Sequence, residues 1–480
     1  MSAPTPPLEG RGFIHARDLL HRAARPAPAG VPAYEHFLSA HGIDAEAVRT
    51  AADFALVTPT DKAEYLSRYE LPELMWSGRI YRAAMWSAGS GQSGCPTYFP
   101  RGRRAAVEAT TMFTRTVRKP FRAGTRSTLL VVGFAGGDWI ANTYTVAAGI
   151  GMHERGARVS VVAPGIDIEA ILHDIAVLGP HYDQVVLAAY PLFAKDVLDR
   201  AGDEVLRQDV KLVLAGEIVS EGLRDYLLER LGKPDRPGDI RLIYGTAEAG
   251  VLGHETDTSI TVRRLAGTDA ALSHRLFGDT AVIPTLVEYD PEYRYFETDG
   301  HGRLLFTVDN ELPLIRYRIG DVGRVLTAGD VEEALRECGY RVPVTTSAAG
   351  CGFVTVAGRP DVATTFYSVK MYPDGVRTAL ADPRLSAMVS GKCVLDSMIA
   401  PDHSQTLTLQ VELALGAHPE AGLPETLREV VVAALEHTST EYRRLRETIG
   451  GRAEPVITVH PHGSPQFRYT TKHRWTGGRR

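Results

Sequence analysis

Residues 241–248 read RLIYGTAE, and four upstream segments share their character: STLLVVGF at 127–134, ARVSVVAP at 157–164, DQVVLAAYP at 183–191 and KLVLAGE at 211–217. Each is a short, continuous, β-branched apolar run, the pattern of a strand buried on both faces of a parallel sheet. Between them lie stretches of about 15–25 residues with helical periodicity, such as IEAILHDIAVL and LFAKDVLDRAGDEVLRQ. This alternation builds a doubly wound α/β sheet through right-handed crossovers. Ligands bind such a sheet outside the carboxyl ends of its strands. The residues that end the runs, Gly136-Gly137, Tyr190, Gly216-Glu217 and Tyr244 to Glu248, are therefore expected to converge on one crevice.

Upstream, the first 80 or so residues are helical and broken by prolines, and read as a cap rather than a separate folding unit. Downstream, residues 258–327 change character. ITVRR, AVIPTLVEYD, YRYFETD, GRLLFTVD and IRYRIGDVGRVL alternate between turn residues, so an antiparallel β subdomain is expected. After Gly358-Arg359 a long amphipathic helix (about 425–449) and strands such as QTLTLQVEL suggest a compact α+β tail. The expected architecture is α/β: a large N-terminal domain (1–360) with doubly wound sheets and a β-rich subdomain, and a small mobile α+β C-terminal domain (361–480).

Length and composition agree with such a plan. A chain of 480 residues exceeds one typical core, so about two or three domains are expected. Its 44% hydrophobic and 23% charged residues are those of an ordinary soluble protein. The formal charge of −5, without a basic block, argues against nucleic acid as a partner. No run approaches the roughly 18 apolar residues of a membrane-spanning helix. The start, MSAPTPPLEGRGFIH, lacks the charged-then-apolar order of a secretory signal. Cys95, Cys338, Cys351 and Cys393 are far apart, with no C-x-x-C spacing, so neither a disulfide framework nor a cysteine zinc site is expected. A reducing cytoplasm is the expected setting.

Five segments carry candidate chemistry. SAGSGQSGCPT, Ser87 to Thr97, places three glycines and four hydroxyl residues in one loop. Its backbone N–H groups and hydroxyls are suited to phosphate oxygens, because no Cβ stands in the way at the glycines. It is not the G-x-x-x-x-G-K-[ST] loop of nucleotide hydrolases, and by composition alone an ordinary flexible turn reads the same way. YGTAEAG, Tyr244 to Gly250, offers a carboxylate for Mg²⁺ at Glu248 and a ring face for a base at Tyr244, or else a tight turn with a surface glutamate. In LIRYRIGDVG, Leu314 to Gly323, Asp321 is a candidate acceptor for both hydroxyls of a ribose; a type I turn residue is the plainer alternative. GRPD, Gly358 to Asp361, sits at the composition break, where a linker turn is equally expected. RYTTKHRW places Lys472 in a basic tail of the kind that is usually just solvated.

The order of these segments resembles the acyl-adenylate-forming superfamily: SGQSGCPT, AGE, YGTAE, RYRIGD, GRPD, then a near-terminal lysine. Within it the chain is most similar to the phenylacetate–coenzyme A ligase branch, which TPTDKAEYLSRY (58–69) and LPLIRYRIGD also resemble. The resemblance runs from about residue 57 to 475. It implies an ATP-dependent ligase that turns a carboxylic acid into an acyl-adenylate, releasing pyrophosphate, and then passes the acyl group to a thiol such as coenzyme A. By position it implies that Ser90, Gly91, Ser93, Gly94 and Thr97 cradle the pyrophosphate end of ATP. Gly216 and Glu217 would border adenine, and Tyr244 would pack on it, followed by Gly245 and Thr246. Glu248 would hold Mg²⁺, Asp321 the ribose hydroxyls, with Arg359 close by. Asp361 would be the hinge, and Lys472 the lysine that bridges carboxylate and α-phosphate. Phe134, Trp139, Tyr144 and Tyr190 would line the acid pocket, and aromatic walls suit an aromatic acid.

The pattern departs from the branch in three places. Cys95 stands where the phosphate loop usually has lysine, and Ala247 where a hydroxyl residue precedes the glutamate; Thr246, Arg101 and Lys472 are the candidates to compensate. In GRPDVATTFYSVKMYP, Ser368 and Lys370 replace a glycine and an asparagine. A serine adds a Cβ and hydroxyl to the passage the pantetheine arm takes. A carrier protein, an amine or another small nucleophile therefore stands beside coenzyme A as acceptor, and a homodimer is an allowed assembly. A stand-alone adenylating enzyme and a non-catalytic nucleotide-binding relative are the two alternative readings.

Overall fold

The computed structural model describes residues 10–88, 97–137, 139–280, 283–358, 364–366, 369–371, 373–399, 405–420 and 422–467. Ser90, Gly91, Ser93, Gly94, Cys95, Arg359, Asp361, Ser368 and Lys472 lie outside the described residues.

A hairpin of β1 (Met85–Ala88) and β2 (Tyr98–Arg101) precedes the five anticipated strands, β3 (Thr128–Gly133), β4 (Val159–Val162), β5 (Gln184–Ala189), β6 (Val210–Ala215) and β7 (Ile240–Thr246). These five pair in parallel, in the order β4-β3-β5-β6-β7. The helices Ile140–Glu154, Ile168–Leu178, Pro191–Arg200 and Glu221–Arg230 connect them. Burial follows position in the sheet: every residue of β3 and β5 is buried, whereas β4, at the edge, is fully buried only at Val159.

From β7 the chain turns back into β8 (Gly250–His254), and β9 (Thr285–Tyr289) joins β8 antiparallel. A separate antiparallel sheet follows, of β10 (Tyr295–Thr298), β11 (Arg303–Val308) and β12 (Leu314–Val322). The chain then returns through β13 (Val325–Leu326) and β14 (Gly352–Val356), which complete the nine-stranded main sheet. After the hairpin of β15 (Thr364–Phe366) and β16 (Val369–Met371), β17 (Val389–Ile399), β18 (Gln405–Leu413) and β19 (Val456–His460) form a smaller mixed sheet.

Three expectations needed correction. ITVRR is not a strand; it lies inside the helix Asp257–Thr268, which Thr256 starts with a reciprocal capping box to Ser259. The strand within AVIPTLVEYD belongs to the main sheet, so the antiparallel subdomain starts only at Tyr295. The single helix expected over 425–449 is two, Leu423–Thr438 and Thr440–Ile449. Ser439, with extended backbone (φ −139°, ψ 108°), ends the first and caps the second by accepting from the Tyr442 N–H.

The main core gathers the inner faces of the parallel strands, including Leu130, Val132, Val186, Ala188 and Leu212. A second core joins the N-terminal helices to β10–β12, with Phe13 edge-on to Phe54 at 6.1 Å and against Tyr295 at 6.3 Å. Among the described residues, a third core draws its buried members only from Phe366 to Ala453. Lys392 of β17 reaches outward from it. Its ammonium is 2.6 Å from Asp196 on the Pro191–Arg200 helix and 3.1 Å from Glu412 on β18, with all three side chains buried. Among the described residues, no helix is long and apolar enough to cross a membrane.

Candidate functional site

The carboxyl ends of β3, β5, β6 and β7 meet on one side of the main sheet. The hydroxyl of Tyr190, just beyond β5, accepts a hydrogen bond from the backbone of Ala135, just beyond β3, and feels the carboxylate of Glu217, just beyond β6. Burial first, and that carboxylate second, push the phenol upward. At the end of β7 the Tyr244 hydroxyl donates to Asp321 Oδ2 at 2.6 Å, so the main sheet and the β10–β12 sheet touch there. Val322 donates to the Gly358 carbonyl at 2.9 Å, which brings the start of GRPD beside Asp321. Gly216 has φ +92°, a left-handed conformation that a side chain would strain.

The two ends of the Ser87–Thr97 loop are held at the same crevice. Ala88 pairs with Tyr98 across the β1–β2 hairpin, and Ala88 bridges Trp139 beyond β3. Thr97 is half-buried at the loop exit. Four residues on, Arg101 is buried at 3% exposure, and its guanidinium donates to the carbonyls of Ala247 and Glu248. Arg101 is thus occupied beneath the Glu248 turn. The Thr246 hydroxyl accepts from the Ala249 N–H at 3.1 Å, which fixes the oxygen at the turn while its own proton stays available to donate.

The turn between β7 and β8 is tied down from below. Arg294 donates to the carbonyls of Ala249 at 3.1 Å and Val251 at 2.9 Å, and forms a buried ion pair with Glu108. Burial pushes the Glu108 carboxyl up, opposed chiefly by Arg294, and pulls the Arg101 guanidinium down, opposed by Tyr144, Glu108 and Glu248 and reinforced by Arg294. Asn310 donates weakly to the carbonyls of Glu248 and Ala249, at 3.4 and 3.5 Å. Gly250, at φ +79°, passes so close to the Tyr144 hydroxyl that a Cβ there would lie 2.9 Å from it. A Cβ on Gly245 would meet the Gly250 carbonyl at the same distance. The side chain of Glu248 itself is half-buried.

The four aromatic residues expected to line an acid pocket divide into two kinds. Phe134, Tyr144 and Tyr190 are buried in the main core, and Phe134 meets Tyr190 edge-on at 5.0 Å. The Tyr144 hydroxyl donates to the Ala105 carbonyl at 3.3 Å, and Arg101 lies 5.9 Å from its ring. Trp139 is half-buried beside Ala88, at the crevice.

A nucleoside needs a flat ring to lie against and a carboxylate for its ribose hydroxyls. Tyr244 and Asp321 fit that need, joined by one hydrogen bond. Among the described residues no group of three or more His, Cys, Asp or Glu side chains is gathered to hold a metal ion. Mg²⁺ requires none, since it commonly takes one or two carboxylates plus substrate phosphates and waters, and Glu248 at the crevice suits that role. Two cavities of about 260 and 300 Å³ lie elsewhere, around Arg22, Arg104 and Asp309, and neither is lined by Tyr244 or Asp321. What sequence reading missed is the support of Arg294, Glu108 and Asn310. Their partners lie from 43 to 186 residues away along the chain, so no local pattern marks them.

No family model matches the chain, and no curated protein matches its sequence. Solved structures do match. A 2-hydroxyisobutyryl-CoA ligase in the postadenylation state, in complex with 2-HIB-AMP, is similar at TM-score 0.62 and 15% identity, covering 99% of this chain and 94% of that one. An acyl acid amido synthetase in complex with 2,4-DB is similar at 0.61 and 12%, covering 98% and 91%. An anthranilate CoA ligase in complex with anthranoyl-AMP is similar at 0.51 and 13%, covering 81% and 65%. The chain has the fold of the acyl-adenylate-forming enzymes.

Proposed function

We propose that the chain is an ATP-dependent ligase that activates an aromatic carboxylic acid as its acyl-adenylate and transfers the acyl group to a thiol such as coenzyme A. The Tyr244–Asp321 hydrogen bond carries the reading, because it joins a ring and a ribose-type acceptor at the mouth of a doubly wound sheet. The fold and the motif order from Ser90 to Lys472 support it.

Carboxylate attack on an α-phosphorus brings anions together, so the site has to supply positive charge in the transition state. The acid needs no general base, being ionised already near neutral pH. Lys472 supplies one cation, and Mg²⁺ at Glu248 neutralises phosphate charge when bound. Ser90, Gly91, Ser93, Gly94 and Thr97 hold the pyrophosphate end, Gly216 and Glu217 border adenine, and Trp139 faces the acid. Residues 361–480 act as a mobile unit hinged at Asp361 and carrying Lys472. A core drawn only from Phe366 to Ala453 supports that division. A cytoplasmic setting suits the free thiols of Cys338, Cys351 and Cys393.

An amine acceptor is the second reading. The amido synthetase resembles the chain as well as the 2-hydroxyisobutyryl-CoA ligase does, at TM-scores of 0.61 and 0.62. Pyrophosphate exchange across a panel of aromatic and aliphatic carboxylates tests the ligase, and exchange with an aromatic acid is expected. ATP binding without exchange for any acid would instead mark a non-catalytic nucleotide-binding relative. Adding coenzyme A, hydroxylamine or amines to an active mixture then separates thiol from amine transfer.

A further inference from the structure

The carbonyls of Ala247, Glu248, Ala249 and Val251 are all taken by two buried guanidiniums, Arg101 and Arg294, that approach from beneath the turn. Arg101 serves Ala247 and Glu248, the carbonyls on either side of the peptide that carries Glu248 into the crevice. Arg294 serves Ala249 and Val251, passing over Gly250, and Glu108 offsets one of the two positive charges. A peptide held through its carbonyl cannot rotate without breaking a charge-assisted hydrogen bond inside a low-dielectric core. The path of the backbone at residue 248, and with it the direction of the Glu248 side chain, therefore depends on Arg101. Gly250 stands at φ +79° where a Cβ would lie 2.9 Å from the Tyr144 hydroxyl, so no side chain fits at that point of the turn.

We propose that Arg101 is a positioning residue of the nucleotide site, which fixes the Glu248 carboxylate in the direction that accepts Mg²⁺ with ATP. The role rests on the reading of Glu248 given above. Arg101 acts through that side chain rather than on phosphate, because its guanidinium is buried beneath the turn and donates to two of its carbonyls. Lysine cannot replace it: one ammonium on a flexible stem does not span two adjacent carbonyls as a planar fork does. Groups that orient a metal ligand typically contribute about 10–100-fold to metal affinity.

The test is calorimetric titration of ATP with Mg²⁺ and with EDTA, on wild type, Arg101→Lys and Arg101→Met. Thermal melts of each protein report folding. Wild type is expected to bind ATP more tightly with Mg²⁺ than without. Arg101→Lys should lose about tenfold of that Mg²⁺-dependent gain, with metal-free ATP affinity within about twofold of wild type. If Arg101→Met does not fold, Arg101→Lys carries the test alone. Equal losses with Mg²⁺ and with EDTA, or an unchanged Mg²⁺ gain, would overturn the positioning role. Failure of wild type to bind ATP at all would instead remove the nucleotide reading on which the role rests.

Discussion

Tyr244 on β7 and Asp321 on β12 belong to different sheets, and their side chains meet in a 2.6 Å hydrogen bond. The contact holds the aromatic ring at a set distance from the carboxylate. Tyr244→Phe keeps the ring and removes the tie. A hydrogen bond to a charged acceptor is worth roughly 1.5–3 kcal/mol when buried, and Tyr244 is half-buried, so a loss of about 1 kcal/mol is expected. The KM for ATP should rise about fivefold with kcat little changed. Tyr244→Ala should do worse. An unchanged KM in both variants would show that neither ring nor hydroxyl meets the nucleotide.

Lys472 is assigned to the transition state rather than to ATP binding. Lys472→Ala should lower adenylation by about 10²–10³-fold, the scale of removing one oriented charge-stabilising donor, while ATP affinity stays within about twofold. Exchange at the wild-type rate would remove Lys472 from the mechanism.

His254 ends β8 wholly buried, its Nδ1 3.1 Å from the Glu255 carbonyl. Burial, reinforced by Arg115 and Arg241 and opposed by the Glu255 contact, pulls its pKa down from 6.5 to about 4. Between those values the unfolded chain binds a proton that the native state refuses. The native state therefore has its full share of stability above pH 6.5 and loses it as pH falls toward 4. Between pH 6.5 and 5 this one group should cost about 1.5 kcal/mol. His254→Gln should flatten that interval of the pH–stability curve. Identical slopes in urea melts of the two proteins would contradict the assignment.

Lys392 bridges Asp196 and Glu412 across the third core and the Pro191–Arg200 helix. Replacing it with methionine leaves two buried carboxylates without their ammonium, and a loss of about 3 kcal/mol is expected. Burial raises the Asp196 pKa even with Lys392 present, and without it the rise should grow. A carboxyl whose native pKa is raised lowers stability as pH climbs from its unfolded to its native value. The Lys392→Met deficit should therefore be larger at pH 8 than at pH 5. Asp196→Asn in that background should recover part of it. A deficit that does not change with pH would mean the carboxylates are not felt.

Legibility followed the range of the interactions. The five parallel strands were plain in their apolar runs because both faces of β3, β5 and β6 are covered, so burial wrote itself into consecutive residues. ITVRR misled because a β-branched run reads as a strand, whereas Thr256 and Ser259 set the helix start by local hydrogen bonds outside the quoted segment. The two-helix break at Ser439 was missed for a related reason: a serine inside an amphipathic stretch gives no sign that it caps rather than continues. Tyr244, Glu248 and Asp321 lie in short glycine-bearing segments, which is what makes them stand out in the sequence as candidates. Arg294 and Glu108 were invisible, since an ion pair between a helix and a distant strand approach leaves no periodic mark. Phe134 and Tyr190 are legible as aromatic, but only packing shows that one turns its edge to the other inside the main core.

In the proposed reaction a carboxylate oxygen of the acid becomes bonded to the α-phosphorus of ATP. The most direct measurement uses an accepted acid labelled with ¹⁸O in both carboxyl positions, incubated with ATP, Mg²⁺ and acceptor. Mass spectrometry of the products then locates the label. If the acyl-adenylate forms, attack of the acceptor on its acyl carbon leaves one labelled oxygen on AMP and none on pyrophosphate. Label in inorganic phosphate, with ADP as the nucleotide product, would contradict the account by placing the attack on the terminal phosphate.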